Sequence, residues 1–525
     1  MNIKIKFAIF VFLVAQLLPG FAAEPFDLLV RHGRVCDGTG NPMYFADVAV
    51  KNGRIVAVGK IERDAKVEID AKGMIVAPGF IDVHTHADDV DELPLAENFV
   101  RMGVTTIVVG NCGGSQLEVG KFFGRVEATN VSVNVATLIG HGTVRSQVMG
   151  GSFMRPPTAA ELDKMKSLVE KAMKEGAVGL STGLIYLPGT FAKTEEIIEL
   201  AKVAAAHGGI YASHMRDEGP EIFEALDELF RIAREANIRA EISHLKLSGK
   251  ANWGQPQKVI AAIERARAEG LDITEDGYSY TASSTGMSQL VPESAREGGK
   301  FLERLASPSE KAKISSEMKE KLKKSAQGSY AYAMIADYKH DRSLNGLNIA
   351  EAAKKVRGSD SIDDQIEMIL EIQKNGGASG VFHSISEEDL RVFLAHPNTM
   401  IASDSGVRKY REGVPHPRGY GNNARVLAQY VRELKLLRLG DAIRKMTSLP
   451  ATTFRLKDRG EVREGNWADL ALFDPEKIQD HATFKDPHHY ATGFGYVLVN
   501  GVVVVKDDRH TGARPGQALR HWNKN

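Results

Sequence analysis

Net charge is absent from this sequence of 525 residues, because 67 lysine and arginine residues balance 67 aspartate and glutamate residues. Proteins that bind nucleic acid or a membrane surface usually carry a strong basic excess. The composition therefore gives no support for either kind of partner.

Cysteine is almost absent as well, since the chain contains only Cys36 and Cys112. An exported protein could join the two in a disulfide. Cys36 lies in a run that is typical of a half-buried strand, and the surroundings of Cys112 indicate a different use, described below. We therefore do not expect a disulfide.

Long hydrophobic runs are missing too. The most apolar run, residues 7–18, is shorter than the roughly 20 residues that a membrane-spanning helix needs. A positively charged start precedes it and small residues follow it, which is typical of a secretory signal peptide. We expect residues 1–23 to be a signal peptide cleaved near Ala22 or Ala23. The mature protein would be periplasmic or secreted, with no stable membrane anchor.

Both ends of the mature chain consist of short apolar or alternating runs separated by turns, which is typical of β-strands. Chain termini often meet at a protein surface. We therefore predict that residues 24–76 and 459–525 together form one small β-sandwich.

The middle of the chain alternates between strand-like runs and amphipathic stretches. This alternation favours an α/β fold, a (β/α)8 barrel similar to that of triosephosphate isomerase, over residues 77–458. The last gap between strands is long, and it predicts an insertion at 286–398 between strands seven and eight. The predicted strands end near these residues: His86, Cys112, His141, Tyr186, His214, Lys246, Tyr280 and Asp404.

The strongest local motif is the apolar strand that ends in His84-Thr85-His86. Side chains alternate along a strand, so His84 and His86 point to the same face. In a barrel, that face is the axis at the catalytic end. Two imidazoles that converge there can hold a divalent metal ion, although a lone His-X-His motif fits buried or surface histidines equally well.

Other strand ends strengthen the case for a metal site, because each carries a metal-binding or acid-base side chain. The additional residues are Cys112, His214, His244 and Asp404. A (β/α)8 barrel brings the C-terminal ends of its strands to one face, where such groups converge.

The chain resembles the N-acyl-D-amino-acid deacylases (D-aminoacylases) of the amidohydrolase superfamily over nearly its whole mature length. His-X-His alone marks the superfamily. The Gly110–Gly113 motif with Cys112 marks this branch, because most relatives bridge their metals with a carboxylated lysine. Further matching motifs are Ser181–Tyr186, Ser213–Glu218, Ser243–Lys246, Ser403-Asp404 and His416–Arg418.

The resemblance implies a zinc-dependent hydrolase of N-acyl-D-amino acids that releases a carboxylate and a free D-amino acid. One tight zinc site would consist of Cys112, His214 and His244, which leaves a fourth position open. His84, His86 and Asp404 would surround a second metal position that is weak or empty.

The resemblance also implies two catalytic residues. Asp404 would act as general base toward water and then as general acid toward the leaving amine. Tyr186 would donate a hydrogen bond to the oxygen of the scissile carbonyl. Asp404 could instead only orient a histidine, and Tyr186 could be a wall residue.

Four residues match family positions that bind the substrate carboxylate, which needs cationic and hydroxyl donors. They are Lys246, Tyr278, Ser284 and Arg418. Relatives that favour acidic D-amino acids carry an extra arginine beyond the Ser-Thr pair, but residues 286–291 contain no cation here. We therefore expect a preference for neutral, apolar side chains.

Three other functions stay open from the sequence. A cyclic-amide hydrolase of the hydantoinase or dihydroorotase kind shares the barrel but usually has a lysine bridge, which Cys112 argues against. A dipeptidase acting on D-configured peptides could use the same site. A binding protein without turnover would have no need of Asp404 as an acid-base group.

Overall fold

The computed structural model describes residues 25–521. The predicted signal peptide, residues 1–23, lies outside the described residues. Within residues 25–521, no helix combines the length and the apolar character needed to cross a membrane.

The strands of the described chain fall into three groups. One group comes from the two chain ends together, the second forms the barrel and the third lies in the insertion. Their bounds are β1 Phe26–Val35, β2 Tyr44–Lys51, β3 Arg54–Gly59, β4 Ala65–Asp70, β5 Ile75–Pro78, β6 Phe80–Asp82, β7 Val104–Val109, β8 Asn134–Thr137, β9 Ile139–Gly140, β10 Gly179–Gly183, β11 Ile210–His214, β12 Ala240–Ile242, β13 Ile273–Gly277, β14 Ser283–Gly286, β15 Ala333–Asp337, β16 Ser379–Phe382, β17 Thr399–Ile401, β18 Leu470–Phe473, β19 Phe494–Val499, β20 Val502–Lys506 and β21 Arg509–His510.

Helices alternate with the barrel strands and fill the insertion. Their bounds are α1 Glu97–Val100, α2 Val119–Thr129, α3 His141–Met149, α4 Ala159–Lys174, α5 Thr194–Ala206, α6 Ile222–Ala236, α7 Pro256–Ala268, α8 Glu293–Arg296, α9 Phe301–Ala306, α10 Pro308–Lys324, α11 Ile349–Arg357, α12 Ile362–Lys374, α13 Glu387–Ala395, α14 Arg418–Arg425, α15 Leu439–Met446 and α16 Ser448–Thr453. A π-helical turn over Val426–Glu433 continues α14.

The two chain ends form one nine-stranded sheet in the order β21-β20-β19-β18-β5-β1-β2-β3, with β4 paired to β1. The ends join where β18 runs antiparallel to β5. Apolar residues of both ends, such as Val30, Val48 and Leu470, share one buried cluster. Burying that cluster requires both ends, and this explains why segments so far apart in sequence form one β domain.

Eight parallel positions form the predicted (β/α)8 barrel, with β8 and β9 together supplying the third. One run pairs β6, β7 and β8, and the other pairs β9 to β13 and then β17. The barrel closes where Thr85 forms a parallel bridge to Ser405. At this seam the His86 amide donates to the Ser405 carbonyl at 2.9 Å, and the Asp404 amide donates to the His84 carbonyl at 2.9 Å. The seam therefore fixes the ends of strands one and eight against each other.

The insertion lies between β13 and β17 and has its own antiparallel sheet, in the order β14-β16-β15. Apolar residues of this sheet and of α8 and α10 to α12 form a separate buried cluster. Because β14 pairs with β16, the sheet begins at Ser283, ahead of the predicted boundary at 286. Helix α13 packs against α7 and β17 and so belongs to the barrel layer, although the predicted insertion ran to 398.

Candidate metal centre

The predicted metal-binding residues meet at the C-terminal ends of the barrel strands. Their ligand atoms form three overlapping groups, and within each group the atoms lie within 4.8 Å of one another. The groups are His84, His86 and Cys112; Cys112, His214 and His244; and His84, His244 and Asp404. A barrel delivers this convergence because its parallel strands all end at one face.

Three of these residues adopt left-handed backbone conformations directly after their strands. The φ angles are 52° at Cys112, 38° at His244 and 49° at Asp404. Such angles cost a non-glycine residue of the order of 1–3 kcal/mol, and they cluster at functional sites. The turns redirect the chain so that each side chain faces the barrel axis.

Cys112 is the centre of the cluster. Its Sγ lies 3.3 Å from His84 Nε2, 3.7 Å from His214 Nδ1 and 3.7 Å from His244 Nε2. Burial alone raises the pKa of the thiol, but the charge of His84 and the hydrogen bonds of the three imidazoles outweigh it and hold the pKa well below its ordinary value. The site therefore favours a thiolate, the form that binds metal.

Asp404 occupies the other side of the cluster. Its Oδ1 lies 3.1 Å from His86 Nε2 and 3.7 Å from His84 Nε2, and its Oδ2 lies 2.9 Å from Arg418 Nη1. Burial raises the pKa of Asp404, but the Arg418 guanidinium and the histidines outweigh burial and hold the pKa well below its usual range. Asp404 is therefore an ionised carboxylate that can bind a metal or accept a proton.

Asp276 is a functional residue that the sequence analysis missed. Its Oδ2 lies 3.0 Å from His84 Nδ1, and its Oδ1 accepts a hydrogen bond from the His244 amide at 3.0 Å. A carboxylate behind a metal-binding histidine fixes the ring orientation and increases its basicity. Two acidic residues, Glu275 and Asp276, in a fully buried barrel strand were the available signal.

Glu218 is a second missed residue, although its motif was recognised. Its Oε1 lies 3.0 Å from His244 Nδ1 and 2.5 Å from Lys246 Nζ. Burial raises the pKa of Glu218, but Lys246 and the two histidines outweigh it. Glu218 thus orients His244 and holds Lys246 at the edge of the site.

Tyr186 reaches the site from the turn after β10. Its ring contacts His214 edge to face, with a centroid distance of 4.9 Å. Its hydroxyl lies 3.2 Å from Thr285 Oγ1, which donates to it. Burial raises the pKa of Tyr186 well above its ordinary value, so the hydroxyl keeps its proton and can donate a hydrogen bond.

The other predicted substrate-binding residues surround Arg418, which is 1% exposed. Its guanidinium lies over the Tyr278 ring at 4.5 Å and donates to the Ser284 carbonyl at 3.3 Å. The Tyr278 hydroxyl and Arg418 Nε are buried donors without a hydrogen-bond partner among the described residues. Unpaired buried donors are costly, and these two point to an anionic ligand that would satisfy them.

Two cavities meet at the metal centre, with Tyr186, Ser284 and Thr285 lining both. The insertion-side pocket has a volume of about 230 Å³ and includes Lys246, Leu322 and Phe382. The loop-side cleft has a volume of about 870 Å³ and includes His86, Cys112 and Arg408. A substrate can therefore extend to both sides of the metal centre.

The donor set fits zinc. One thiolate and imidazole nitrogens are the ligands that zinc prefers, and three protein ligands leave a position open for catalysis. The carboxylates of Asp276 and Glu218 behind two of the histidines complete the arrangement.

The chain is similar to known amidohydrolases. The model of an amidohydrolase family matches residues 67–505. A D-aminoacylase from Alcaligenes xylosoxydans xylosoxydans is 35% identical, over 95% of this chain and 98% of the relative. The chain belongs to the amidohydrolase family, among the N-acyl-D-amino-acid deacylases.

Solved structures of other amidohydrolases cover 95% of this chain and all of their own chains. One D-aminoacylase is 35% identical with a TM-score of 0.81. Its metal centre is described as binuclear, with activation by one metal and attenuation by a second. An N-acyl-D-glutamate deacylase from Bordetella bronchiseptica is 32% identical with a TM-score of 0.82. Its structure holds zinc and a phosphonate inhibitor that mimics the tetrahedral intermediate.

This amidohydrolase is therefore a metal-dependent hydrolase of linear amides, the class to which its relatives belong. The fold predicted from the sequence, a barrel with a β domain built from both ends, is confirmed.

Proposed function

We propose that this enzyme hydrolyses N-acyl-D-amino acids at a single tight zinc site made by Cys112, His214 and His244. The observation that carries the proposal is the position of Cys112, whose sulfur lies 3.3–3.7 Å from three imidazole nitrogens. A second, weaker metal position would involve His84, His86 and Asp404. The description of a related D-aminoacylase as activated by one metal and attenuated by a second supports this unequal pair.

Cys112, His214 and His244 would hold the zinc, which would supply polarisation of the amide carbonyl and a lowered pKa for bound water. Asp404 faces the same space, and as an ionised carboxylate it accepts a proton from the attacking water. It then returns that proton to the amide nitrogen, because an amine leaves poorly unless it is protonated. The Arg418 guanidinium holds the carboxylate in place at 2.9 Å during both transfers.

Tyr186 stabilises the oxygen of the scissile carbonyl. Its hydroxyl is protonated, and Thr285 orients it at 3.2 Å. A fixed donor in a buried site is worth more than a water molecule because it needs no reorientation as negative charge develops on the oxygen.

The amine side of the substrate lies in the insertion-side pocket. Lys246 and Ser284 line that pocket, and the unpaired donors of Tyr278 and Arg418 lie beside them. Together these groups supply the charge and hydrogen bonds that the substrate α-carboxylate needs.

The amino-acid side chain would also enter the insertion-side pocket. Ile185, Leu290, Leu322 and Phe382 give it apolar walls, which supports a preference for neutral side chains. Lys321 is exposed at its rim, where solvent weakens its attraction for a second carboxylate.

The test measures kcat/KM on N-acetyl-D- and N-acetyl-L-amino acids, with zinc content determined on the same protein. We expect about one tight zinc per chain, D-selective turnover, and faster cleavage of N-acetyl-D-leucine than of N-acetyl-D-glutamate. Asp404→Asn should keep the tight zinc and lose about 10²–10⁴-fold in kcat. Turnover of cyclic amides alone would contradict the proposal.

We also propose that the enzyme is exported, which is supported by the signal-peptide pattern of residues 1–23. Mass spectrometry of the mature N-terminus should place the cleavage near Ala23. An intact Met1 in fractionated cells would contradict export.

A further inference from the structure

The two cavities at the metal centre differ in their lining. The insertion-side pocket holds Lys246, a predicted α-carboxylate ligand that the loop-side cleft lacks, and has four large apolar walls. The loop-side cleft shares Tyr186 with that pocket but lacks Lys246, so under the proposed function it receives the acyl group. Its volume of about 870 Å³ is far more than an acetyl group fills.

The loop-side cleft has few hydrocarbon side chains. Among the described residues that line it, only Leu187 and Pro188 have purely aliphatic side chains, and none is an aspartate or glutamate. Side chains with hydroxyl or amide groups, among them Thr143, Ser146 and Gln147, contribute to the remaining lining. Such a lining disfavours a fatty acyl chain, because the hydrocarbon would bury the polar groups of the cleft wall without giving them hydrogen-bond partners.

Arg408 gives this cleft a positive charge. Among the described residues, no aspartate or glutamate oxygen forms an ion pair with its guanidinium within 4 Å, and its nearest acidic neighbours, Asp89 and Asp404, act only at longer range. Burial and the charge of Arg418 both lower the pKa of Arg408. The guanidinium is therefore a half-buried cation whose charge is poorly compensated, the condition under which an anionic ligand is attracted.

Arg408 is also held in position before any ligand arrives. Its amide donates to Asn98 Oδ1 at 3.1 Å and its Nε donates to Ser405 Oγ at 3.1 Å. A Cβ on Gly419 would lie 3.1 Å from the same Nε, so the start of α14 packs closely against it. Only the two Nη groups remain for a ligand, and a fixed guanidinium loses little entropy when it binds a carboxylate.

We infer that Arg408 selects acyl groups that end in a carboxylate, such as a succinyl group, on the acyl side of the scissile amide. The inference rests on the proposed deacylase function and goes beyond it, because it names the acyl class. The substrate would then be anionic at both ends, with its α-carboxylate at Arg418 and Lys246 and its acyl carboxylate at Arg408.

The experiment compares kcat/KM for N-succinyl-D-leucine and N-acetyl-D-leucine on the zinc-loaded enzyme, Arg408→Gln and Lys409→Gln. Lys409 is the neighbouring exposed residue and does not line the cleft, so its variant is a control of equal charge. We expect the wild type to favour the succinyl substrate. Arg408→Gln should lower the succinyl-to-acetyl ratio roughly 10- to 100-fold, mainly through KM, and Lys409→Gln should keep the wild-type ratio.

A charge reversal guards against a merely structural effect. Arg408→Glu should reverse the preference, so that N-(β-alanyl)-D-leucine, whose acyl group ends in an ammonium, becomes better than N-succinyl-D-leucine. An unchanged ratio in Arg408→Gln, or equal losses on both substrates, would overturn the inference while leaving the deacylase function intact. Turnover of neither substrate by the wild type would overturn the proposed function and the inference together.

Discussion

The two halves of the candidate metal centre differ in the chemistry of their ligands, in burial and in the side chains that contact those ligands. The thiolate half consists of Cys112, His214 and His244, which are all buried. The carboxylate half consists of His84, His86 and Asp404, and within it the His86 side chain is 43% exposed. Both halves lie on the same barrel face, because the strand ends place all the ligands there. The local environment of each half then determines how tightly it can bind a metal.

The environment of Asp404 illustrates the difference. The Arg418 guanidinium pairs with its carboxylate at 2.9 Å, so a metal at this half must share the carboxylate with a cation that is not a metal ligand. The Cys112 sulfur has only metal-competent imidazoles as its hydrogen-bond partners among the described residues. The thiolate half should therefore bind metal first.

The largest expected effect comes from removing the thiolate ligand. Cys112→Ala should weaken zinc binding by roughly three orders of magnitude, because one of three ligands is lost, and turnover should fall with it. Equilibrium dialysis followed by metal analysis measures the affinity. Cys36→Ala is the matched control, since Cys36 is also buried but follows β1 and belongs to none of the three ligand groups; an equal loss of zinc in both variants would contradict the assignment.

The next largest effect tests the Tyr186 hydroxyl, which in the proposed mechanism donates to the carbonyl oxygen whichever half binds the metal. Tyr186→Phe should lower kcat by about 10²–10³-fold with zinc content unchanged, because the carbonyl oxygen loses a fixed donor. Steady-state kinetics on N-acetyl-D-leucine measures it. Tyr338→Phe, a buried tyrosine in the insertion, should keep the wild-type kcat, and a similar loss there would indicate damage to the fold.

Asp276 supports ligands of both halves, so its variant shows how far they depend on one another. Asp276→Asn should weaken metal affinity or activity about 10- to 100-fold, because the His84 ring and the His244 turn lose a charged partner. Asp272→Asn, just before the same strand and paired with Arg239 at the surface, is the control. Full zinc affinity and full turnover in Asp276→Asn would remove it from the site.

The smallest expected effect is the pH dependence of metal binding at the carboxylate half. Partial desolvation by the surrounding protein opposes the charged form of His86, whose side chain is 43% exposed, but Asp404 and Cys112 outweigh it and raise the pKa of His86 to about 9. A metal must displace this proton, so binding of a second metal should strengthen as pH rises toward 9 and weaken as pH falls.

Calorimetric titration of a second metal into the one-zinc enzyme at pH 6.5 to 8.5 measures this dependence, at roughly tenfold or less per pH unit for one proton. His86→Asn should abolish most of it. A pH dependence that is steeper for the tight site than for the second site would reverse the comparison.

The sequence by itself determined the fold class and singled out the predicted metal ligands that the structure brings together. Strand-helix alternation indicated the barrel, and His84, His86, Cys112, His214, His244 and Asp404 stood out because each follows a strand-like run. A barrel aligns all its strand ends, so a residue's place relative to its own strand predicts its place in the site. The signal peptide and the substrate preference stay predictions.

Only the tertiary structure decided which side chains support those residues. The contacts of Asp276 with His84 and of Asp404 with Arg418 join separate elements, and nothing in either local sequence specifies the partner. The start of the insertion at Ser283 depended in the same way on pairing with a strand near residue 380. Arg408 shows the limit most clearly, because a charged residue in a loop is ordinarily a solvated one. Packing at Gly419 and hydrogen bonds that Arg408 donates to Asn98 and Ser405 place it in the cleft instead.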